Sequence, residues 1–364
     1  MERIKPRTLS GFMELLPAPQ TQFERMLEIL RHTYSLYGFT PLDTPVIESA
    51  EILLAKGGGE TEKQIYRFTK GDSDLALRFD LTVPLAKYVA LHYADLAFPF
   101  RRYQIGKVYR GERAQRGRFR EFYQCDIDVI GDGKLDIANE AVLSALEGYR
   151  GRNEIFDQGL EELATVVKYL AAFGVPEDHF AVDLTIARGL DYYTGTVYET
   201  VMLDHPEIGS ICSGGRYDNL AEYYTDKKLP GVGISIGLTR LFYVLGEQGY
   251  LNDQLVTAPA DVLILPMTED LSPAIAFATQ LRQGGVRAQV YSEQKKFKGK
   301  MSYADKLHIP YVAFLGEEEI SQGLVKIKDM VTGDQQALSP AQAVETIAAA
   351  MAHRAQGKPI REKG

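Results

Sequence analysis

Two stretches of alternating apolar and polar residues, separated by an arginine-rich turn, constrain the fold of this 364-residue chain most strongly. They lie within residues 101–130 and predict a pair of adjacent strands, because successive side chains of a strand point to opposite faces. Since a guanidinium group donates hydrogen bonds in a planar fork, several arginines at one turn predict a bound phosphate. Solvated surface charge is the alternative interpretation. The turn carries Arg113, Arg116, Arg118 and Arg120, with Gly117 among them.

A second polar stretch, Ala187–Thr196, combines a cation, a carboxylate and two phenols. Arg188 and Asp191 supply opposite charges, and the flanking Gly189 and Gly195 allow the backbone to approach a ligand closely. The stretch therefore predicts a polar pocket. A sheet face with a surface ion pair is the competing interpretation.

Apolar periodicity and turn residues predict the other elements of the first part of the chain. Phe39–Glu48 is extended, and its two prolines suit an edge strand or an interface. Asp80 and Thr82 open a helix, where the carboxylate could cap the helix or hold a ligand's ammonium group. Helices are predicted at about Thr21–Tyr37, Asp80–Tyr93, Leu135–Tyr149, Ile155–Phe173 and Leu238–Leu245. Strands are predicted at Tyr66–Lys70, Leu75–Phe79, Val197–Leu203 and Ile208–Ser213.

The pattern changes around Gln248–Ala258, which predicts a domain boundary. Beyond it, short apolar strands alternate with helices, and this rhythm predicts a small, largely parallel sheet. A loop at Lys295–Lys300 holds four lysines and one aromatic residue, which is either a solvated charge run or a phosphate-binding surface. A helix near Tyr303–Leu307 is expected to follow it.

The amino-acid composition of the chain limits the classes of protein to which it can belong. The chain is 45% apolar and 25% charged, and its formal charge is −8. The acidic excess lies in the first 256 residues, whereas residues 257–364 hold 13 basic and 12 acidic side chains, so a polyanion would approach this second part more easily. Two cysteines without metal-binding spacing predict reduced core residues and no protein-bound metal. A charged N-terminus and the lack of a long apolar run predict a cytoplasmic protein outside the membrane.

Four motifs together resemble the histidyl-tRNA synthetase family of class II aminoacyl-tRNA synthetases, and the resemblance covers nearly the whole chain. They are Leu77–Pro84, Lys107–Arg110 with Arg118–Asp126, Arg188–Tyr193 and Ser213–Asp218. The resemblance implies an α+β catalytic domain with a mainly antiparallel sheet over residues 1–255. It also implies a small α/β anticodon-binding domain over 259–352, followed by a tail over 353–364. A segment near Pro45 looks like the family's dimer-forming motif and implies a homodimer.

The resemblance also implies the chemistry of the site. Histidine and ATP would form an adenylate, with Mg²⁺ accompanying the ATP phosphates, and histidine would then pass to tRNA(His). The amino acid carboxylate is already an ionised nucleophile, so positioning and charge stabilisation supply the catalysis. Arg110 would hold the α-phosphate, and Arg188 would sit between that phosphate and the substrate carboxylate. The implied ATP-binding residues further include Glu112 at the adenine amino group, Phe122 at the adenine face, Arg240 at the γ-phosphate, and Arg118.

Histidine would be recognised through its two ring nitrogens. By the same resemblance Asp128 and Tyr193 would bond the imidazole, because buried polar partners reject a substrate that lacks matching groups. The α-amino group would bind Asp80, Thr82 and Gln124, and further candidates for the pocket are Tyr192 and Tyr217. The tRNA phosphates would contact Lys295, Lys296, Lys298 and Lys300.

The sequence departs from the family near residues 150–155, where an inserted helical domain and a further strand are expected. Only Arg150–Ile186 lies between the neighbouring motifs, so transfer to tRNA is more affected than adenylate formation. A regulatory subunit of ATP phosphoribosyltransferase, which would bind histidine without forming an adenylate, is the main alternative. The retained Arg110, Arg188 and Arg240 and the C-terminal α/β domain argue against it. A plain nucleotide- or RNA-binding module is the third reading.

Overall fold

The computed structural model describes residues 4–55, 60–113, 117–131, 147, 149–183, 185–186, 192–251, 257–293 and 295–355. The chain divides into two compact units. The first comprises residues 1–14 and 25–250, and the second comprises residues 15–24 and 251–364.

A six-stranded sheet forms the centre of the first unit. Its strand order is β1-β5-β6-β9-β8-β7, and every pairing is antiparallel except that of β1 with β5. The alternating stretches within residues 101–130 are the long hairpin of β5 and β6, as predicted. The strands are β1 (Thr40–Pro41), β5 (Phe100–Tyr109), β6 (Glu121–Ile130), β7 (Val197–Thr200), β8 (Cys212–Tyr217) and β9 (Gly231–Gly237).

A smaller antiparallel sheet with the order β2-β4-β3 precedes this hairpin in the chain. Its strands are β2 (Ile47–Ser49), β3 (Arg67–Lys70) and β4 (Ser73–Leu77). The turn between β3 and β4 contains Gly71, whose φ of 58° lies in the left-handed region that favours glycine. The hairpin was predicted at this place, and its second strand begins two residues earlier than expected.

The helices of the first unit are α1 (Pro17–Leu36, whose first residues, 17–24, fall in the second unit), α2 (Ala50–Leu53), α3 (Glu60–Gln64), α4 (Thr82–Leu91), α5 (Glu154–Ala172) and α6 (Leu238–Glu247). Helix α1 begins four residues before its predicted start and ends shortly before Gly38, whose φ of 74° lies in the left-handed region that favours glycine. The predicted helix at 135–149 lies almost entirely outside the described residues.

Buried Leu85 and Val89 of α4 pack with Ile130 of β6. This contact places the start of α4 beside the central sheet.

One expectation about the region after α5 is corrected. The second of the predicted strands there, Ile208–Ser213, is instead β8 at Cys212–Tyr217. A short 3-10 helix at Pro206–Ile208 occupies part of the place where the strand was expected. Gly214 and Gly215 lowered the apparent strand propensity of the true segment, because glycine weakens a strand interior.

The second unit contains a five-stranded sheet with the order β11-β10-β12-β13-β14. The strands are β10 (Val262–Pro266), β11 (Ala288–Val290), β12 (Tyr311–Leu315), β13 (Val325–Asp329) and β14 (Gln335–Leu338). The helices are α7 (Ser272–Gln283), α8 (Phe297–Lys306), α9 (Glu317–Ser321) and α10 (Pro340–Ala355). Both faces of β10 are buried: Val262 and Ile264 pack in one core cluster and Leu263 and Leu265 in the other. Helices therefore cover both faces, as expected for an α/β unit.

The prediction of a largely parallel sheet was only half correct. Strand β10 pairs in parallel with β11 and β12, but β12, β13 and β14 form an antiparallel meander. The last helix is capped: Ser339 Oγ accepts from the Gln342 backbone N–H at 3.4 Å, and Gln342 Oε1 accepts from the Ser339 backbone N–H at 3.1 Å.

The predicted lysine loop is also corrected. Helix α8 begins at Phe297, six residues before its predicted start, so Lys298 and Lys300 lie in its first turns. The aromatic ring of Phe297 packs on Phe314 of β12 with centroids 5.7 Å apart. This contact fixes a helix start that no capping side chain marks.

Candidate active site

A cleft of about 530 Å³ lies in the first unit and is lined by residues of the central sheet and of the segments that flank it. It collects most of the residues that the sequence pointed to. Eleven of them line it: Thr82, Arg110, Glu112, Arg118, Phe122, Gln124, Asp128, Tyr192, Tyr193, Tyr217 and Arg240. Asp80 is buried behind the lining, and Arg188 lies outside the described residues.

Arginines and an aromatic ring form one part of the cleft. Arg110 directly follows β5, and its guanidinium carbon lies 5.2 Å from the ring centroid of Phe122 on β6. Its Nε donates to the Phe79 carbonyl at 3.0 Å, which fixes the guanidinium plane. Arg118 lies 3.9 Å from Glu112, a distance at which the ion pair is weak. A held guanidinium beside an aromatic ring that lines the cleft suits a nucleotide.

Arg240 lies in the first turn of α6 and faces the same part of the cleft. Its guanidinium donates to the Ser210 carbonyl at 2.9 Å and to the Ile208 carbonyl. Burial and the nearby charge of Arg118 lower its pKa. Two cations held close together favour a bound anion, which would relieve their repulsion.

Of the other turn arginines, Arg120 has a structural role. Its Nε donates to the Glu112 carbonyl at 3.0 Å, so it holds the turn closed instead of facing the cleft. Arg113 is exposed and does not line the cleft, and Arg116 lies outside the described residues. Among the four turn arginines, Arg118 is therefore the one that lines the cleft in the part of the chain that the structure describes.

Acidic and amide side chains form the other part of the cleft. Period-two alternation along β6 places Gln124, Asp126 and Asp128 on one face, where all three are buried. Asp128 accepts a hydrogen bond from the Tyr217 hydroxyl at Oδ1, and its Oδ2 lies 2.8 Å from Arg102 Nη2. Arg102 on β5 is fully buried and also donates to the Leu81 carbonyl at 3.1 Å. Asp128 is thus held at both oxygens.

Glycines on β9 make room for this arrangement. The register of β6 and β9 sets Asp128 opposite Gly233, and a Cβ atom at residue 233 would lie 2.2 Å from Asp128 Oδ1. A Cβ atom at Gly231 would lie 2.4 Å from Cε2 of the Tyr217 ring. Any side chain at either position would displace the acid or the phenol, so glycine is required by close approach.

Asp80 shows that its two predicted roles are compatible. Its Oδ1 accepts from the Val83 backbone N–H at 3.1 Å at the start of α4, which is a capping interaction. Burial raises the pKa of Asp80 to about 6, although the Arg110 charge and the Tyr192 hydroxyl oppose the shift. Only Oδ1 of Asp80 is used for capping, because Oδ2 has no hydrogen-bond partner among the described residues.

The tyrosines of the second predicted stretch surround the acidic part. The rings of Tyr192 and Tyr193 have centroids 4.8 Å apart, and Tyr192 meets Tyr217 edge to face at 6.1 Å. Burial raises the pKa values of Tyr192 and Tyr217 well above the ordinary value, so both hydroxyls keep their protons and donate hydrogen bonds. The described part of the stretch, residues 192–196, therefore contributes Tyr192 and Tyr193 to a polar pocket and is not simply a solvated sheet face.

Sequence reasoning missed two residues here: Asp126, which lines the cleft, and Arg102, which is fully buried and paired with Asp128. Burial and the neighbouring Asp128 charge raise the pKa of Asp126 to about 7, while Arg102 opposes this shift. The alternation that selected Gln124 and Asp128 also places Asp126 on their face. The strand register pairs Arg102 with Asp128, but a register is known only after the hairpin is built.

The four predicted tRNA-binding lysines lie in the second unit. Lys295 Nζ is 2.6 Å from Glu293, and Lys300 Nζ donates to the Pro266 carbonyl at 3.0 Å. Lys296 and Lys298 are exposed. Two of the four lysines thus already have partners within their own unit.

A mainly antiparallel sheet that carries this cleft, together with an α/β unit, is the architecture of a class II aminoacyl-tRNA synthetase with an anticodon-binding domain. The sequence matches the family described as histidyl-tRNA synthetase over residues 11–152 and 136–241, and the anticodon-binding domain family over 261–350. The chain belongs to the histidyl-tRNA synthetase family.

Individual relatives agree with this assignment. The histidine–tRNA ligase of Clostridium tetani is 45% identical over 431 aligned residues, covering 94% of this chain and 98% of the relative. That of Clostridium acetobutylicum is 40% identical and covers 93% of this chain and 98% of its own. The crystal structure of histidyl-tRNA synthetase from Nostoc sp. PCC 7120 superposes with a TM-score of 0.83 at 33% identity, covering 95% of this chain and all of that one.

Proposed function

We propose that this protein is a ligase that activates histidine with ATP to form histidyl-adenylate and transfers the histidyl group to tRNA(His). The observation that carries the proposal is a single cleft with arginines and an aromatic face in one part and buried carboxylates in the other. An adenylating enzyme must hold a polyphosphate and an amino acid side by side, and this division of charge suits both. The curated relatives at 40–45% identity carry the same activity in their names.

In the nucleotide part, Arg110 binds the α-phosphate and Phe122 stacks on the adenine. Their observed contact supports this pairing of roles, because one rigid unit positions both. Glu112 accepts from the adenine amino group, and Arg118 and Arg240 bind the outer phosphates. Charge that develops at the α-phosphate is stabilised by Arg110 and, by resemblance, Arg188.

In the amino acid part, Asp128 and Tyr193 bind the imidazole. The ion pair with Arg102 supports an ionised Asp128, since it offsets the burial that raises the pKa of this carboxyl group. The α-ammonium group binds Asp80, Thr82 and Gln124. Tyr192 and Tyr217 close the pocket and orient these groups.

Mg²⁺ would enter with ATP. Among the described residues no group of three or more acidic, histidine or cysteine side chains forms a metal site. Glu112 and Glu199 both line the cleft, and Glu199 also acts electrostatically on Arg240. Because Mg²⁺ in such sites binds one or two carboxylates and the substrate phosphates, these two glutamates fit the ion as its protein ligands. The ion would neutralise phosphate charge.

The segment expected between the catalytic motifs is shortened near residues 150–155. The alignment with the Clostridium tetani relative spans 431 positions, which is 67 more than the 364 residues of this chain. Some positions of the relative therefore have no counterpart in this chain. The family match is also split into two pieces that overlap at residues 136–152. We therefore treat adenylate formation and transfer as separate steps in any test.

Histidine-dependent exchange between ATP and pyrophosphate tests the first step. Exchange that requires histidine supports the synthetase. Histidine binding without exchange would support instead the regulatory subunit of ATP phosphoribosyltransferase, which the names of the curated relatives do not favour. Transfer of labelled histidine to tRNA(His) tests the second step, and exchange without transfer would assign the deficit to the shortened segment.

The second unit serves as the anticodon-binding domain in this proposal, over residues 259–352, with residues 1–255 as the catalytic domain. The match of 261–350 to the anticodon-binding family and the two compact units support the division. No helix in the described part of the chain is long and apolar enough to cross a membrane. The reaction is placed in the cytoplasm, where its substrates are.

The proposed assembly is a symmetric homodimer that pairs through the segment near Pro45. Strand β2 forms an edge of the small sheet, and Val46 and Ile47 are 37% and 49% exposed. An exposed apolar edge suits pairing with a second copy of the same surface. Light scattering at micromolar concentration should give twice the 40.6 kDa mass of the chain, and a monomer would contradict the proposal.

A further inference from the structure

Asp126 is a buried carboxylate that the proposed roles of the other residues leave unused. It is 2% exposed, lines the cleft, and lies on β6 between Gln124 and Asp128. The register of β6 and β9 sets it opposite Ser235, whose hydroxyl interacts with it and also accepts from Gln124 Nε2 at 2.7 Å. Asp126 is therefore held in place but not neutralised by a cation of its own.

Four buried acceptor oxygens in this part of the cleft have no hydrogen-bond partner among the residues that the structure describes, and one of them, Asp128 Oδ2, is ion-paired with Arg102 at 2.8 Å. The three that have neither a hydrogen bond nor an ion pair there are Asp80 Oδ2, Gln124 Oε1 and Asp126 Oδ1. An unpaired buried acceptor costs free energy, so such atoms are expected to meet a donor when a ligand binds. An ammonium group carries three N–H donors and no acceptor, which matches three unmet acceptors.

The charges of the buried side chains in this part of the cleft also indicate an ammonium group as the ligand. Asp80, Asp126 and Asp128 lie close enough to influence one another, and the buried cation that faces all three is Arg102 on β5. Arg110 faces Asp80 from the end of β5, and the neighbouring elements β9 and Tyr192 contribute only hydroxyl groups to these acids. A ligand that brings a positive charge restores the balance when these carboxylates are ionised.

We propose that Asp126 is a specificity-determining residue whose Oδ1 accepts one of the three hydrogen bonds of the substrate's α-ammonium group, beside Asp80 and Gln124. This role rests on the proposed function and adds an acceptor that neither the family resemblance nor the sequence pattern had singled out. Neighbouring same-face residues of a strand are about 7 Å apart, so Asp126 lies between the residues assigned to the amino group and Asp128, assigned to the imidazole. A position between these two groups is where the α-carbon of histidine and its ammonium belong.

Calorimetric titration of three ligands tests the proposal in wild type and in Asp126→Asn. L-histidine and L-histidinol both carry the ammonium and the imidazole, whereas 3-(imidazol-4-yl)propanoic acid lacks the ammonium. The variant should bind histidine and histidinol at least about tenfold more weakly, because it loses a charged hydrogen bond. Its affinity for the propanoic acid should change less than about twofold, because no contact to that ligand is lost.

Equal weakening of all three ligands would place Asp126 at the imidazole or in a purely structural role and would overturn the proposal. Unchanged histidine affinity would overturn it as well. Asp126→Ser, which is smaller, should show the same discrimination and serves as a second variant if the first unfolds. If wild type itself fails to bind histidine, the proposed function is wrong and the role of Asp126 falls with it, which is a distinct result.

Discussion

Asp128 stands directly opposite Gly233 across two paired strands, and its carboxylate occupies the space that a side chain at residue 233 would take. The acid is thus held by a steric fit at its back, by Tyr217 at one oxygen and by Arg102 at the other. A carboxylate restrained in this way loses little freedom when a ligand binds. The geometry favours recognition of one rigid group over adaptation to many.

Gly233→Ala should weaken histidine binding by tenfold or more, since a Cβ atom 2.2 Å from Asp128 Oδ1 forces the carboxylate or the strand to move. Calorimetry on the folded variant measures the loss. Gly159→Ala is the matched control, because Gly159 lies inside α5 with open space around its Cβ position. The control should keep wild-type affinity and be slightly more stable, as alanine is favoured in helices. A Gly233→Ala variant with unchanged affinity would refute the close fit.

Asp126→Asn should raise the melting temperature of the ligand-free protein, and by more at pH 8 than near pH 5. The pKa of Asp126 rises to about 7 from an ordinary value of 3.8, chiefly through burial and also through the charges of Asp128 and Asp80, against Arg102 and Ser235. Between these two values the folded state holds a proton that the unfolded chain has lost. Stability therefore falls as pH rises through this window, and the loss is complete above about pH 7.

The asparagine variant lacks this ionisation, so its advantage grows as pH rises from about 3.8 to about 7 and is constant above that. A few degrees are expected, at about 2–4 °C per kcal/mol for a unit of this size. Asp80, whose pKa is raised to about 6, has the same sign and remains in both proteins. Differential scanning calorimetry from pH 5 to 8 measures the difference. A variant that is less stable at pH 8 would contradict the inferred burial of charge.

Arg188→Ala should abolish histidine-dependent pyrophosphate exchange while leaving histidine binding largely in place. The resemblance assigns Arg188 to charge that develops at the α-phosphate, and an interaction made mainly in the transition state lowers turnover more than ground-state affinity. Exchange assays and calorimetry on the same preparation separate the two effects. Equal loss of both would make Arg188 a residue of the histidine pocket instead.

Neutralising Lys295, Lys296, Lys298 and Lys300 with glutamine should weaken tRNA binding for all sequences and flatten its salt dependence. Phosphate contacts carry no sequence information, and each one lost reduces the log–log salt slope by about 0.7–0.9. Lys296 and Lys298 should account for most of the effect, because Lys295 and Lys300 have partners in the protein. Filter binding over a range of salt measures both quantities.

Lys306→Gln, at the end of α8, is the control for loss of charge in the same unit and should leave tRNA binding nearly unchanged. Pyrophosphate exchange should also be preserved in the quadruple variant. Equal tRNA affinity and salt slope in wild type and quadruple variant would show that these lysines are solvated surface residues.

Local patterns predicted much of the fold. The long hairpin of β5 and β6 could be recognised because its alternation persists over many residues, and α5 because its apolar spacing is regular. The start of α8 could not, because a lysine-rich segment with Gly299 lacks both a cap and an apolar stripe. That helix start depends on the packing of Phe297 on Phe314, which are distant in sequence.

In the candidate site, too, local sequence patterns did not reveal features that depend on contacts between distant residues. Gln124 and Asp128 were predicted within a recognisable motif, whereas Asp126 and Arg102 become significant only when strand register brings buried charges together. The role of Gly233 depends likewise on which residue faces it across the sheet. Long-range pairing, and not local propensity, determines these features.

The partnerless oxygens of the proposed histidine pocket should make the stability of the protein depend on the concentration of histidine. Each molecule without amino acid carries unmet acceptors and crowded carboxylates, and a ligand that relieves them shifts the balance away from unfolding. At a concentration one hundred times the dissociation constant this shift amounts to about 2.7 kcal/mol. During histidine starvation a larger share of molecules would open and become available to proteases. If this acidic pocket binds histidine as proposed, it would thereby couple the lifetime of the protein to the abundance of histidine.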